Sequence, residues 1–173
     1  MSAAFLLGSF AFAQKYSTKT GKVSFFSDAK LEDISAENNQ VTAVLDASSG
    51  EMAFIVLIKS FEFEKAMMQQ HFNENYLHSD KYPKSTFSGK IANISAVNFT
   101  KDGSYDVTAE GKLTLHGVTK NVKEKGRIVV SGNKITAQSK FMILLKDYNI
   151  RNDKLQNISD QIEVTVHTEM LKQ

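Results

Sequence analysis

Apolar and polar residues alternate with a period of two along most of this chain, and that pattern constrains the fold more than any other feature. Val107, Ala109, Gly111, Leu113 and Leu115 interleave with Thr108, Glu110, Lys112 and Thr114. Ile162, Val164 and Val166 alternate with Glu163, Thr165 and His167. Ile135, Ala137, Ser139, Phe141 and Ile143 form a third series, and Val41, Ala43 and Leu45 a fourth. Successive side chains of a strand point to opposite faces, so each series reads as a strand with one face toward a core and one toward water.

Turn signals punctuate these runs. Ser48-Ser49-Gly50 and Lys101-Asp102-Gly103-Ser104 each divide two strands. Ser131-Gly132-Asn133 sits between 122–130 and 134–145 as a tight hairpin. About eight to ten strands at short spacing result, a pattern that sandwiches and barrels share. The long, sustained alternation favours an antiparallel barrel closed on itself, whose interior holds side chains or one ligand. Residues 52–58 are apolar on both parities. Met52, Phe54, Val56 and Ile58 are expected to point inward, and Ile55 and Leu57 to meet a helix lying outside. That one short helix is expected over about 64–76, with Met68, Phe72 and Tyr76 as its apolar stripe and Lys65, Gln69 and Asn73 opposite. Glu64 is placed in its first turn, where it suits the helix dipole.

The chain has 173 residues, twelve Phe, five Tyr, one Pro and neither Trp nor Cys. A domain of this size builds a core without disulfide staples. The Phe excess fits either a filled core or a lined cavity. Net charge is +2 with interspersed signs. Basic clusters such as Lys120-Asn121-Val122-Lys123-Glu124-Lys125 read as solvated strand faces, and no nucleic-acid footprint emerges.

Catalytic constellations are missing from the sequence. There is no thiol, no Gly-x-Ser-x-Gly elbow and no Gly-rich phosphate loop. His71, His78, His116 and His167 are not spaced as a metal pair, although His71 and His78 could approach Asp80. His167 falls at a solvated parity. His116 precedes Gly117 at a strand end, and two readings stay open. It is a turn-supporting ring bonded to a backbone carbonyl, or a polar group at a cavity mouth. Carboxylate pairs such as Glu62 and Glu64 carry no mark of acid/base work. No cofactor and no metal are expected, and the chain is expected not to be an enzyme.

Ala3 to Phe12 is apolar and uncharged, and Ala11-Phe12-Ala13 supplies a small-residue cleavage pattern. Residues 1–13 thus read as a truncated signal peptide, with 14–173 as one domain. The basic residues that normally open such a signal are missing, so a buried N-terminal strand or helix is the alternative. Too short to span a bilayer, the segment points to an exported protein. No apolar run of about 18 residues follows, so no transmembrane segment is expected in 14–173.

Four segments together resemble the YceI-like family of exported lipid-binding proteins. They are Phe61-Glu62-Phe63 with Met67, Met68, His71 and Phe72; Tyr76 through Phe87, with its Asp80-Lys81-Tyr82-Pro83 run; Gly111-Lys112-Leu113-Thr114-Leu115-His116-Gly117-Val118-Thr119-Lys120; and Lys146 to Ile150 with the final strand 161–171. Asn121 departs from the proline common after the lysine. The resemblance spans most of 15–171. It implies a lipocalin-like barrel with a helix alongside, an apolar tunnel for a polyisoprenoid or fatty-acid-like molecule, no metal, no catalysis, and a periplasmic or secreted location.

On that reading the tunnel is lined by Phe54, Val56, Phe87, Ile91, Leu113, Leu115, Phe141, Ile143 and Val164. His116, Lys81, Tyr82 and Arg151 are the expected mouth and headgroup residues, and 64–87 a lid. The expected partner is an amphiphilic lipid. Oligomeric state stays open, a homodimer being one option. Two rival readings are an interaction module with a filled core and a protein partner, and a histidine-dependent enzyme.

Overall fold

The computed structural model describes residues 14–28, 33–151 and 158–173; the expected signal peptide, 1–13, lies outside the described residues. Strands β1 (Lys15–Ser27), β2 (Ile34–Asp46), β3 (Glu51–Leu57) and β4 (Glu62–Phe63) come first. Helix α1 (Ala66–His71) follows, and then β5 (Lys84–Ile91), β6 (Gly103–Leu115), β7 (Val118–Ser131), β8 (Lys134–Leu144) and β9 (Gln161–Lys172). The sheet order is β1-β9-β8-β7-β6-β5-β3-β2-β4, and β1 also pairs with β2. That last pairing closes eight antiparallel strands into a barrel, and β4 is an extra strand on β2. The expected lipocalin-like all-β barrel with one short helix is the architecture observed.

Turn chemistry sets the register. His116 (φ 51°) and Gly117 (φ 74°) are the two central residues between Leu115 and Val118, which pair. Two successive positive φ values define the type I′ turn that matches strand twist. Gly132 (φ 59°) opens the turn joining β7 to β8, with Ser131 opposite Lys134. Register shifts in the β1–β2 ladder between Thr18 and Val23 reset the parity, so that Tyr16, Gly21 and Val23 all end up buried.

The floor of the barrel is solid. Tyr16, Leu45, Ile91, Ile128, Ile135 and Met170 are among its almost completely buried side chains. A second apolar cluster lies at the opposite end, where Phe25, Phe61, Phe63 and Phe72 meet ring to ring at centroid distances of 5.0–5.9 Å.

The helix departs from expectation in position and length. Regular α-helix starts at Ala66, so Glu64 precedes its first turn, and after His71 the chain widens into a π-type turn over Phe72–Tyr76. It does not cover β3 from outside. Ile55 and Leu57 do point outward but are 39% and 42% exposed. The reason is β4: Glu62 and Phe63 pair with Glu37 and Ala36 of β2 and carry the chain across the barrel end. The stripe of Met68, Phe72 and Tyr76 therefore faces the opening.

Candidate functional site

Between floor and roof lies a cavity of about 210 Å³. Its wall is built from the inward parity of the strands. Met52, Phe54, Val56 and Ile58 line it as the parity predicts, and so do Phe87, Ile91, Leu113, Leu115, Phe141, Ile143 and Val164. All nine residues expected to line a tunnel face this one space. An apolar cavity of about 150 Å³ already stays dry and takes up a benzene-sized guest, so this volume suits a slim hydrocarbon segment.

A second chamber of about 370 Å³ adjoins it at the helix end. The two share Phe25, Phe72, Leu77, Leu145, Ile150 and Ile162. Met68, His71 and Tyr76 line the outer chamber. Phe72 stacks on Phe25 at 5.5 Å and an 18° interplanar angle, between the chambers. The helix thus places one aromatic ring where the interior meets the outside.

The expected headgroup residues do not gather at this mouth. Lys81, Tyr82 and His116 line a separate surface cleft with Asn73, Glu74, His78 and Asp80. Tyr82 meets the His116 ring edge-on at 4.7 Å, and His78 stacks on it at 5.3 Å. His116 Nδ1 lies 3.0 Å from the Tyr148 carbonyl oxygen, so that nitrogen carries the proton and donates. Nε2 is then buried without a partner. His116 ties the β6–β7 turn to the two segments flanking it and does not reach the apolar cavity. Arg151 is exposed, next to Ile150, which lines both chambers. His71 and His78 do not converge on Asp80, which pairs with Lys59. Among the described residues no three His, Asp or Glu side chains group as a metal site.

Two wall residues, Val122 and Glu124, fall in the run Lys120–Lys125, which reads in sequence as a solvated face. Lys123 and Lys125 are indeed exposed. Glu124 and Val122, however, are opposite Ala109 and Gly111 of β6 and share their inward parity. The β7–β8 ladder runs only from Ser131–Lys134 to Gly126–Ser139. Beyond Gly126 the two strands part, and Glu124 sits beside that gap. Burial pushes its carboxyl above the ordinary range, and its charge in turn helps burial and Asp147 to raise the Tyr148 phenol. The signal was available: stepping back by twos from Val130 through Ile128 and Gly126 arrives at Glu124.

The family model described as a YceI-like domain matches residues 9–170. The chain belongs to the YceI-like family. Protein YceI of Escherichia coli O17:K52:H18 is 30% identical over 105 residues, covering 57% of this chain and 50% of that one. A UPF0312 protein of Pectobacterium carotovorum is 33% identical over the same length and shares. This YceI-like chain spans about half the length of the curated relatives it matches. A polyisoprenoid binding domain from Saccharophagus degradans, implicated in plant cell wall breakdown, superposes with a TM-score of 0.80 at 14% identity, covering 94% of this chain and all of that one. BcnA of Burkholderia cenocepacia gives 0.72 at 19% identity, covering 86% and 95%. At these identities the two structures establish the YceI-like fold alone.

Proposed function

We propose that this YceI-like protein is an exported carrier that holds the hydrocarbon chain of an amphiphilic lipid, polyisoprenoid or fatty-acid-like, inside its barrel. The observation that carries the reading is the apolar cavity walled by Phe54, Phe87, Leu113, Phe141 and their neighbours, leading to an outer chamber past Phe72. Each methylene moved from water into such a space gains about 0.8 kcal/mol. A ten-carbon segment thus gains about 8 kcal/mol before the cost of ordering and immobilising it is subtracted. The polyisoprenoid-binding relative of the same fold supports this choice of ligand class. Among the described residues no helix is long and apolar enough to cross a membrane. The reading assigns binding and no catalysis, and export rests on the apolar N-terminal segment 1–13.

The test is solvent extraction of the purified protein followed by mass spectrometry, which should release a long-chain lipid. A variant that fills the cavity, Ala109→Phe, should keep the barrel by circular dichroism and lose the lipid. Extracts free of lipid, with a melting temperature indifferent to added prenyl or acyl chains, would overturn the proposal and favour a filled-core interaction module.

A further inference from the structure

The apolar cavity is lined by an acid without an ion pair: the Arg127 guanidinium, which lines the same space, is held by Asp106 at 3.0 Å. Glu124 faces inward opposite Ala109, at the place where β7 and β8 cease to pair. The neighbouring charges are engaged elsewhere. Lys123 binds Glu110 on the outer face at 2.7 Å, and Lys120 lies 3.7 Å from Asp147. Ser139, across the gap, spends its hydroxyl on the Lys125 carbonyl at 2.7 Å. Among the described residues Glu124 has neither an ion pair nor a hydrogen bond, and only burial displaces its titration.

A carboxyl in an apolar wall without partners costs the fold stability. A solely structural wall would be served better by Val or Leu. We propose that Glu124 is a specificity-determining residue of the lipid site, accepting a hydrogen bond from a non-anionic polar group on the ligand: a hydroxyl, primary amide or amine carried by an otherwise apolar chain. This rests on the lipid-binding reading above and narrows it. Both protonation states of a carboxyl can accept a hydrogen bond. The ionised form repels a carboxylate or phosphate brought to the same place, and rejection of the wrong group is as much a source of selectivity as attraction of the right one. The gap between β7 and β8 gives such a polar group room in the wall, where a continuous ladder would leave none.

The experiment uses the full chain, freed of lipid, and three probes with one oleyl chain: oleyl alcohol, oleamide and oleate, at neutral pH. Wild type is expected to bind the alcohol and the amide about tenfold or more tighter than oleate. Glu124→Gln keeps an acceptor and removes the charge, so oleate should gain about tenfold while the amide changes little. Glu124→Leu should lose the preference for alcohol and amide. Three equal affinities in the wild type, or a preference unmoved by both variants, would overturn the proposal and leave lipid binding intact. Failure of all three probes, together with extracts free of lipid, would overturn both. Because the ratio in the wild type is decisive by itself, the test survives a variant that does not fold.

Discussion

Glu124 is a carboxyl whose position in the cavity wall works against its charge. Burial raises its carboxyl above the ordinary carboxylate range, so the folded state holds the proton more tightly than the unfolded chain does. Its favourable contribution is therefore complete below the unfolded value and is lost as pH rises through the raised one. The groups around it are the Tyr148 phenol, Asp147 with Lys120, and Lys123 with Glu110. Glu124→Gln is accordingly expected to melt above wild type at neutral pH, with the difference shrinking toward pH 4; equal melting curves across that range would contradict the burial argument. Asp46 behaves oppositely. Its carboxylate accepts from the Ser48 hydroxyl and backbone N–H, which holds it below the ordinary range, so the turn it closes should loosen as pH falls through that lowered value. Backbone amide exchange at Ser48 and Ser49 is the measurement.

At the scale of elements, the β6–β7 turn and the helix carry separate tasks. Gly117 combines a φ of 74° with the Tyr82 ring, which would lie 2.5 Å from an added Cβ. Gly117→Ala should cost about 1–3 kcal/mol, read as a lowered denaturant midpoint. Loss of the His116 ring in His116→Ala removes its bond to Tyr148 and should cost about 1 kcal/mol, with lipid binding unchanged because the ring is remote from the cavity. Phe72 is different. It closes the inner cavity against Phe25, Phe61 and Phe63. Phe72→Leu should speed lipid release by several-fold with a smaller change in affinity, since both bound and free states lose the same ring contacts. Stopped-flow displacement of a fluorescent acyl probe would measure it.

The whole molecule is a barrel that is filled at one end and hollow in the middle, and its wall is not uniform. β6 and β7 pair along their full length from Leu115–Val118 to Gly103–Val130, whereas β7 and β8 share only the stretch near their turn. Local opening follows such differences in pairing. Amides of 118–125 that point toward β8 should exchange fastest among the strand amides, and those of the floor around Ile135 and Met170 slowest. A bound lipid should slow the former; exchange unaffected by lipid would argue that the gap is not part of the site.

Alternation and turn chemistry, both local, determined a great deal. The inward parity of Phe54, Phe87, Leu113, Phe141 and Val164 follows from a period of two, and the tight hairpin at Gly132 from a residue that tolerates positive φ. Parity also implied Glu124, although the charged run around it disguised the fact. What the tertiary structure alone decided depends on pairing between distant segments. Two residues of β4 on the edge of β2 moved the helix from the side of the barrel to its end. The contacts of His116 with Tyr148 and Tyr82 hold three of the four expected headgroup residues, Lys81, Tyr82 and His116, in a cleft of their own. Hollow or filled was decided there too, because apolar alternation is the same around a packed core and around a cavity, and only the packing of side chains from opposite walls tells them apart.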